Sequence, residues 1–339
     1  MVGIAVNGLG RIGRLAVKRL ARQAPERLKA INDPAPLDVI VNLLRFDSVH
    51  GREALPVVGC IEAGQERLRI GGCSIPLFHA EDPAAVPYGS VGATLVLECS
   101  GRYTRREGAS RHLHDGVGHV VISAPSPDPD ITVIEPVEPG RLDLSRHRII
   151  SNASCTAHAA APILKVLHDG FGLEHAGLGT VHVATNDQRL LDAPHPDLRR
   201  ARSAFQSIIP TTTSAIGALR QALPWLPADF DGLALRVPTT SVNLVEIMAG
   251  VSRDVELATL RGAFQRAAAG PFRGILGLAE GVEVSCDFTG REESVVMDLG
   301  LSQCLGPRFL RVFGWHDNET AYAARLVELV LAIDARLAV

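Results

Sequence analysis

Residues 2 to 36 read VGIAVNGLGRIGRLAVKRLARQAPERLKAINDPAP. Val2, Ile4, Ala5 and Val6 form a short apolar run of the kind that makes a buried parallel strand, and the run ends at Asn7 and Gly8. From Arg11 onward the period changes. Ile12, Leu15, Ala16 and Leu20 fall on one helical face, and Arg14, Lys18 and Arg22 stay off it. Gly8, Gly10 and Gly13 therefore sit at a strand-to-helix turn in the pattern G-x-G-x-x-G. Residues 28 to 31 supply a second strand, with Asp33 at its end.

Each part of this unit has a physical task. Gly8 permits the tight turn, Gly10 lets backbone approach a pyrophosphate, and Gly13 lets the helix lie close to the sheet. The helix N-terminus, with Arg11 and Ile12 in its first turn, turns unpaired N–H groups toward a diphosphate. Asp33 would accept hydrogen bonds from a ribose 2'-hydroxyl and repel a 2'-phosphate, which favours NAD over NADP. The expectation is a dinucleotide site.

Further strand-like runs lie at LPVV (55 to 58), SIPLF (74 to 78), ATLVLEC (93 to 99) and HVVIS (119 to 123), with a helical pattern over residues 37 to 45. Strands interleaved with helices predict an α/β chain whose first half is a Rossmann-type, doubly wound parallel sheet. Such sheets bind ligands at strand C-terminal ends, so Ser100, Gly101 and Ser123 are candidates to line the cofactor cleft, or plain loop residues.

Composition bounds the rest. A chain of 339 residues is long enough for about two domains, and 46% hydrophobic with 21% charged residues describes a globular protein rather than a disordered one. A formal net charge of -3 gives no reason to expect nucleic acid or a membrane surface as partner. The N-terminal residues show no secretion signal, and no apolar run reaches the length of a membrane span. The six cysteines, Cys60, Cys73, Cys99, Cys155, Cys286 and Cys304, lack C-x-x-C spacing and do not cluster with histidine. That argues against a metal site or a disulfide framework and for a reducing compartment, the cytoplasm.

Cys155 stands apart from the other five. It follows a strand ending at Ile149 and Ile150 and begins TAHAAAPILKVLHDGFG (156 to 172), which is apolar at helical spacing until Gly170 and Gly172 stop it. A cysteine at a helix N-terminus has its thiolate stabilised and its pKa lowered by the helix dipole. The alternative is a small buried residue that only packs. His182 ends a strand-like run over residues 180 to 184 and is the candidate base, provided the fold brings it to Cys155.

The motifs NGLGRIGR (7 to 14), AINDP (30 to 34), SNASCT (151 to 156), NDQRLLDAPHPDLRRARSA (186 to 204), IIPTTT (208 to 213), LRVPT (235 to 239) and WHDNETAY (315 to 322), in this order, resemble the phosphorylating glyceraldehyde-3-phosphate dehydrogenases along nearly the full chain. HPDLRR is also similar to the erythrose-4-phosphate dehydrogenase branch. The resemblance implies that Cys155 attacks an aldehyde, that His182 handles the proton, that hydride passes to NAD, and that inorganic phosphate cleaves the thioester. It implies two phosphate sites built around Ser154, Thr156, Thr185, Asp187, Arg199, Thr213, Ser214 and Arg236. It places Asn318 on the nicotinamide carboxamide and Tyr322 beside that ring. It further implies a homotetramer, through residues 183 to 208, which carry no continuous periodic pattern.

The departures bear on substrate and cofactor. Where the family continues CTTNC, this chain has Ala157, His158 and Ala159; NETGY has become NETAY at Ala321, and Ala193 and Ser214 replace the usual leucine and glycine. Ala193 removes bulk that helps exclude NADP, so some NADP use is expected beside NAD. The other readings kept open are a paralogue acting on erythrose 4-phosphate or a related aldehyde, and a non-catalytic binding homologue. The expected domains are residues 1–154, joined by a C-terminal helix within 316–339, and residues 155–315. Leu326, Leu329, Val330 and Ile333 give that helix its apolar face.

Overall fold

The computed structural model describes residues 3–337, so Val2 of the first strand and residue 338 of the last helix lie outside the described residues. The chain divides into two compact units. One comprises residues 1–135, 139–153 and 323–339, the other residues 136–138 and 154–322.

The first unit contains β1 (Ile4–Asn7), α1 (Arg11–Gln23), β2 (Leu28–Asn32) and α2 (Leu37–Arg45), then a short pair, β3 (Phe46–Asp47) and β4 (Gly51–Arg52). It continues through β5 (Val57–Glu62), β6 (Gln65–Ile70), β7 (Cys73–Phe78), β8 (Leu95–Glu98), α3 (Arg106–Ser110), β9 (His119–Ile122), β10 (Ile131–Thr132) and β11 (Ile149–Ser151). Its nine-stranded sheet has the order β10-β11-β9-β8-β1-β2-β7-β6-β5. β1 pairs in parallel with both β2 and β8, so the connections diverge there and the strand ends open a crevice. Both faces of β1 are covered, which is why its residues are apolar without alternation. Ile4 and Val6 point into a core with Val17 and Leu20, and Ala5 packs on the other side with Ala30, Val96 and Tyr88.

The glycine turn follows the expected geometry. Gly8 has φ +93°, open to glycine at little cost. A Cβ on Gly13 would sit 1.9 Å from the carbonyl oxygen of Gly8, whereas one on Gly10 would meet nothing within 4 Å. The helix must therefore touch the turn at Gly13 and leave space beside Gly10.

Sequence pattern and structure differ at one edge of this sheet. The strand expected over 55 to 58 runs instead from Val57 and belongs to a meander in which β5, β6 and β7 pair antiparallel. The tight turn at Ala63 and Gly64, both with positive φ, turns the chain back in too few residues for a parallel crossover. β6, QERLRI, alternates charged with apolar residues and is half solvated.

The second unit contains α4 (Cys155–Phe171), β12 (Leu173–Val183), β13 (Ile209–Thr211), α5 (Ala215–Ala222), β14 (Asp231–Val237), β15 (Asn243–Val251), α6 (Leu257–Ala269), β16 (Leu276–Leu278), β17 (Val295–Gly306) and β18 (Phe309–His316). Its sheet has the order β13-β14-β12-β15-β18-β17-β16. α4 packs on β12, β15 and β18. Leu178, Thr180, Ala234, Val245, Ile247, Leu310 and Val312 are buried on that face, and Val181, Leu233, Met248 and Phe309 are exposed on the opposite one. β12 begins at once after the helix, seven residues before the run at 180 to 184 that marked it in the sequence, because two glycines and alternating polar residues mask its start.

The last helix, α7 (Thr320–Leu337), carries Leu326, Leu329, Val330 and Ile333 into the core of the first unit. Among the described residues no helix is long and apolar enough to cross a membrane.

The close approach at Gly13 yields a test. Gly13→Ala should lower the unfolding free energy by about 1–3 kcal/mol in urea melts, the usual cost of overpacking. Gly10→Ala should change it by less than about 0.5 kcal/mol, as at an open surface position.

Candidate active site

Cys155 is the first residue of α4. Ser154 caps the helix, its hydroxyl oxygen accepting from the N–H of Ala157 at 3.1 Å. The thiol is thus held in the first turn, where the helix's positive end lies. Side chains alternate along β12, and the register sets His182 directly opposite Arg236 of β14. Both side chains fall on the sheet face that α4 covers. Cys155 Sγ lies 3.8 Å from His182 Nε2, and Thr156 Oγ1 is 3.9 Å from the same sulfur.

The imidazole is held from behind. His182 Nδ1 is 2.8 Å from the carbonyl oxygen of Val183, which also accepts from Arg236 Nη1 at 3.1 Å. Arg236 Nη1 lies against Nδ1 as well. When Nδ1–H donates to Val183, Nε2 presents a lone pair to the thiol. When Arg236 donates to Nδ1, Nε2–H becomes a donor. The ring can therefore take a proton or give a hydrogen bond at one fixed point.

Electrostatics favour the uncharged ring. Burial, and next the Arg236 guanidinium, push His182 well below the ordinary imidazole value. His316, from β18, adds to this; burial pushes it down to about 3, and its Nε2 has no hydrogen-bond partner among the described residues. Burial also pushes the Cys155 thiol up, against the pull of Thr156 and Arg236. The lowered thiol pKa expected from the helix terminus is therefore not the net result, because desolvation of the thiolate outweighs the nearby positive charges. At neutral pH the resting pair is a thiol beside a neutral imidazole.

The other expected site residues fall into two groups. Asp187 accepts from Arg200 Nη1 at 2.5 Å and faces His195 Nε2 at 3.3 Å. Arg199 is exposed, with Nη1 3.4 Å from the Pro210 carbonyl oxygen. Its neighbour Arg200 instead binds Thr211 and Asp187 and adds to the field on His182 and Arg236. Nothing in the run DLRR distinguishes the two arginines; only the turn through residues 197 to 202 does. Thr185 donates through its N–H and hydroxyl to Gln188 Oε1, at 2.6 and 3.0 Å. Thr213 and Ser214 stand at the start of α5, where Thr213 Oγ1 accepts from the N–H of Ala215. Asn318 Oδ1 is buried with no hydrogen-bond partner among the described residues. The His158 ring, buried in α4, meets Tyr322 edge-on at 5.8 Å.

In the first unit, the ends of β1, β2 and β8 open on a pocket of about 270 Å³, lined by Asn7, Gly8, Gly10, Asp33 and Ser100 among others. The residues present fit a dinucleotide. Gly10 leaves open space at the start of α1, and Asp33 holds its carboxylate at the pocket wall, accepting from the N–H groups of Leu9 at 2.6 Å and Ala35 at 2.9 Å. Arg11 donates to Asp47 at 2.8 Å. Burial pushes Asp47 up, yet the N–H groups of Val49 and His50 and the Arg11 side chain together hold it down at about 2. Ile12 packs on the core, Gly101 takes φ +71°, and the N–H of Ser123 donates to the Glu98 carbonyl at 2.9 Å. Among the described residues no group of three or more His, Cys, Asp or Glu is placed to hold a metal ion.

Residues 2–106 match the family described as glyceraldehyde 3-phosphate dehydrogenase, NAD binding domain, and residues 154–318 match its C-terminal domain. The chain is 39% identical over 335 residues to the glyceraldehyde-3-phosphate dehydrogenase of Geobacillus stearothermophilus, covering 99% of each chain. It is 39% identical to glyceraldehyde-3-phosphate dehydrogenase 1 of Bacillus subtilis over 98% of each, and 37% identical to the Streptomyces coelicolor enzyme over 99% of each. The chain belongs to the glyceraldehyde-3-phosphate dehydrogenase family.

The guanidinium of Arg236 favours the Cys155 thiolate and disfavours the His182 imidazolium. Removing it in Arg236→Leu should therefore raise both midpoints, read as the pH profile of Cys155 alkylation and the NMR titration of His182. A fall in either contradicts the geometry.

Proposed function

We propose that the chain oxidises glyceraldehyde 3-phosphate, with NAD and inorganic phosphate, to 1,3-bisphosphoglycerate through a thioester on Cys155. The observation that carries this reading is the thiol at the head of α4, 3.8 Å from an imidazole whose charged form is disfavoured by burial and by the neighbouring Arg236 guanidinium. His182 Nε2 takes the thiol proton as the sulfur adds to the carbonyl carbon, then returns it to the oxygen. As the C–H bond breaks, His182 takes back that hydroxyl proton and the carbonyl re-forms as a thioester. NAD, when bound, accepts the hydride. A phosphate oxygen then attacks the thioester carbon, the C–S bond breaks, the leaving sulfur takes back the proton held by His182, and the proton of the attacking hydrogen phosphate passes to solvent.

Anion binding is assigned to Arg236, Thr185, Thr156, Thr213 and Ser214, with Ser154 donating the hydroxyl hydrogen that capping leaves free. Arg200 supplies the second guanidinium, held by Asp187. Guanidinium and hydroxyl donors suit phosphate oxygens. Asp187 is itself an anion, so its role is to orient Arg200. Asn318 presents its unpaired oxygen to the nicotinamide carboxamide. His158, edge-on to Tyr322, shapes the pocket and tunes the choice between aldehydes.

A preference for NAD is supported by Asp33, whose carboxylate is fixed at the pocket wall, and some use of NADP by the small side chain of Ala193. A homotetramer is supported by the exposed Val181, Leu233, Met248 and Phe309 on the open face of the second sheet, and by Leu190, Leu191, Leu198, Phe205 and Ile208 nearby in sequence to the active-site strand. Apolar exposure on this scale favours a subunit interface. The net charge of -3 and six free cysteines suit a cytoplasmic protein.

Four measurements test these assignments. His182→Asn should lower kcat/KM by about 100-fold or more, as for loss of a general base, with kcat and kcat/KM falling together. His158→Asn should shift the ratio of rates on glyceraldehyde 3-phosphate and erythrose 4-phosphate while most of the rate remains; reversed effects of the two substitutions would name the other histidine as base. Equal or better kcat/KM with NADP than with NAD would show that Asp33 does not face the ribose, and a stable monomer in sedimentation at micromolar concentration would contradict the tetramer.

A further inference from the structure

Beneath the pocket of the first unit lies a polar network that the reaction does not use. Glu98 closes β8 and is 1% exposed. Its Oε2 accepts from Asn7 Nδ2 at 2.6 Å and faces His112 Nε2 at 2.9 Å. Its Oε1 accepts from the N–H of Ser100 at 2.6 Å and from the Ser100 hydroxyl. His112, which has no exposed surface, meets the Tyr88 hydroxyl through Nδ1 at 2.8 Å. On the other side the network runs through Asn7 Oδ1, which accepts from Asn32 Nδ2 at 2.7 Å. Asn32 is anchored at both ends of its amide by the backbone of Ala80, whose N–H donates to Oδ1 and whose carbonyl accepts from Nδ2, each at 2.9 Å.

This network has a fixed polarity. A backbone N–H cannot accept and a backbone carbonyl cannot donate, so Ala80 sets which way the Asn32 amide faces. Asn32 then sets Asn7, and Asn7 can present only N–H to residue 98. From the opposite side the Ser100 N–H also points at residue 98. Only a group that accepts in both directions satisfies all of them, and a carboxylate is such a group. Asn7, Asn32, Ala80 and Ser100 all line the pocket. Ser100 also packs directly on the glycine turn, its N and Cα lying 2.5 Å from where a Cβ on Gly8 would stand.

We propose that Glu98, completed by His112, is the positioning residue of the cofactor site: its buried carboxylate holds the ends of β1, β2 and β8 in the one arrangement that accepts a dinucleotide. The assignment rests on the reading of this pocket as the NAD site. Glu98 touches no cofactor atom; it acts through Asn7 and Ser100.

The fixed polarity of the network makes a specific rescue possible. In Glu98→Gln the side chain keeps its shape, but its amide N–H must face either Asn7 or Ser100, donor against donor, and neither can turn. In Asn7→Asp alone two carboxylates meet. In the double variant Asn7→Asp/Glu98→Gln the amide of Gln donates to Asp, Asp still accepts from Asn32, and His112 accepts at Nε2 by passing its proton to the Tyr88 side. The net charge of the floor is unchanged.

The test is NAD binding to the full-length protein by calorimetry, with melting temperature and steady-state kinetics on the same samples. Glu98→Gln should weaken NAD binding by about tenfold or more, the effect of an unsatisfied buried polar group. Its kcat at saturating NAD should stay within about threefold of the parent, a split that general loosening would not give. The double variant should bind NAD more tightly than either single variant. If Glu98→Gln does not fold, the comparison of Asn7→Asp with the double variant carries the same test. Parent-like NAD binding by Glu98→Gln, or a double variant no better than the weaker single, overturns the proposal. Failure of the unsubstituted protein to bind NAD would instead sink the cofactor reading on which it rests.

Discussion

The chemistry depends on a register. β12 and β14 run parallel with His182 opposite Arg236, and both side chains face α4. Because strand side chains alternate, a slip of one residue would turn both to the open face, where Val181 and Leu235 now stand, and would bury neither base nor guanidinium. The buried residues on the covered face, Leu178, Thr180 and Ala234 among them, specify that register by their burial. The same face is completed by Val245, Ile247, Leu310 and Val312 under the small residues of α4. A run of alanines in that helix lets it lie close to the sheet, and its first residue is the thiol.

The register also sets the charge state. A base that must accept a proton near neutral pH has to be uncharged beforehand, and burial of the ring, aided by the arginine in contact with it, favours that state. The same arginine has Arg200 close by, and Asp187 and Asp197 are both paired with Arg200, so Arg236 is the guanidinium without a carboxylate in salt-bridge contact among the described residues. On the proposed reading one guanidinium serves two ends: it disfavours the imidazolium and donates to the anion. Desolvation disfavours the Cys155 thiolate, while Thr156 and Arg236 favour it.

The first unit was largely legible in its first 36 residues, since strand, glycine turn, helix and acid each left a local signature. The antiparallel meander was not, because the half-solvated QERLRI lacks the apolar continuity that marked the other strands. The catalytic pair was legible as two candidates. That Cys155 and His182 meet is a matter of β12 following α4 back across the sheet, which spacing along the chain does not encode. That Arg200 is the one paired with Asp187 and Thr211 could not be read from the sequence, since adjacent arginines in an irregular segment differ only in the turn that carries them. The rise in the Cys155 pKa was likewise hidden. A helix terminus is visible in a sequence, and the depth at which it is buried is not. Glu98 and His112 carry no local signature, and only the fold brings them together.

The central claim is that the thiol at the head of α4 carries the acyl group between oxidation and phosphorolysis. The direct measurement is a rapid-mixing experiment with excess NAD and glyceraldehyde 3-phosphate and no phosphate, followed by intact and peptide mass spectrometry. The account predicts a burst of NADH approaching one equivalent per chain, with the acyl mass on Cys155, and its release as the acyl phosphate when phosphate is added. NADH formation without a burst, or an acyl group on any other residue, would contradict it.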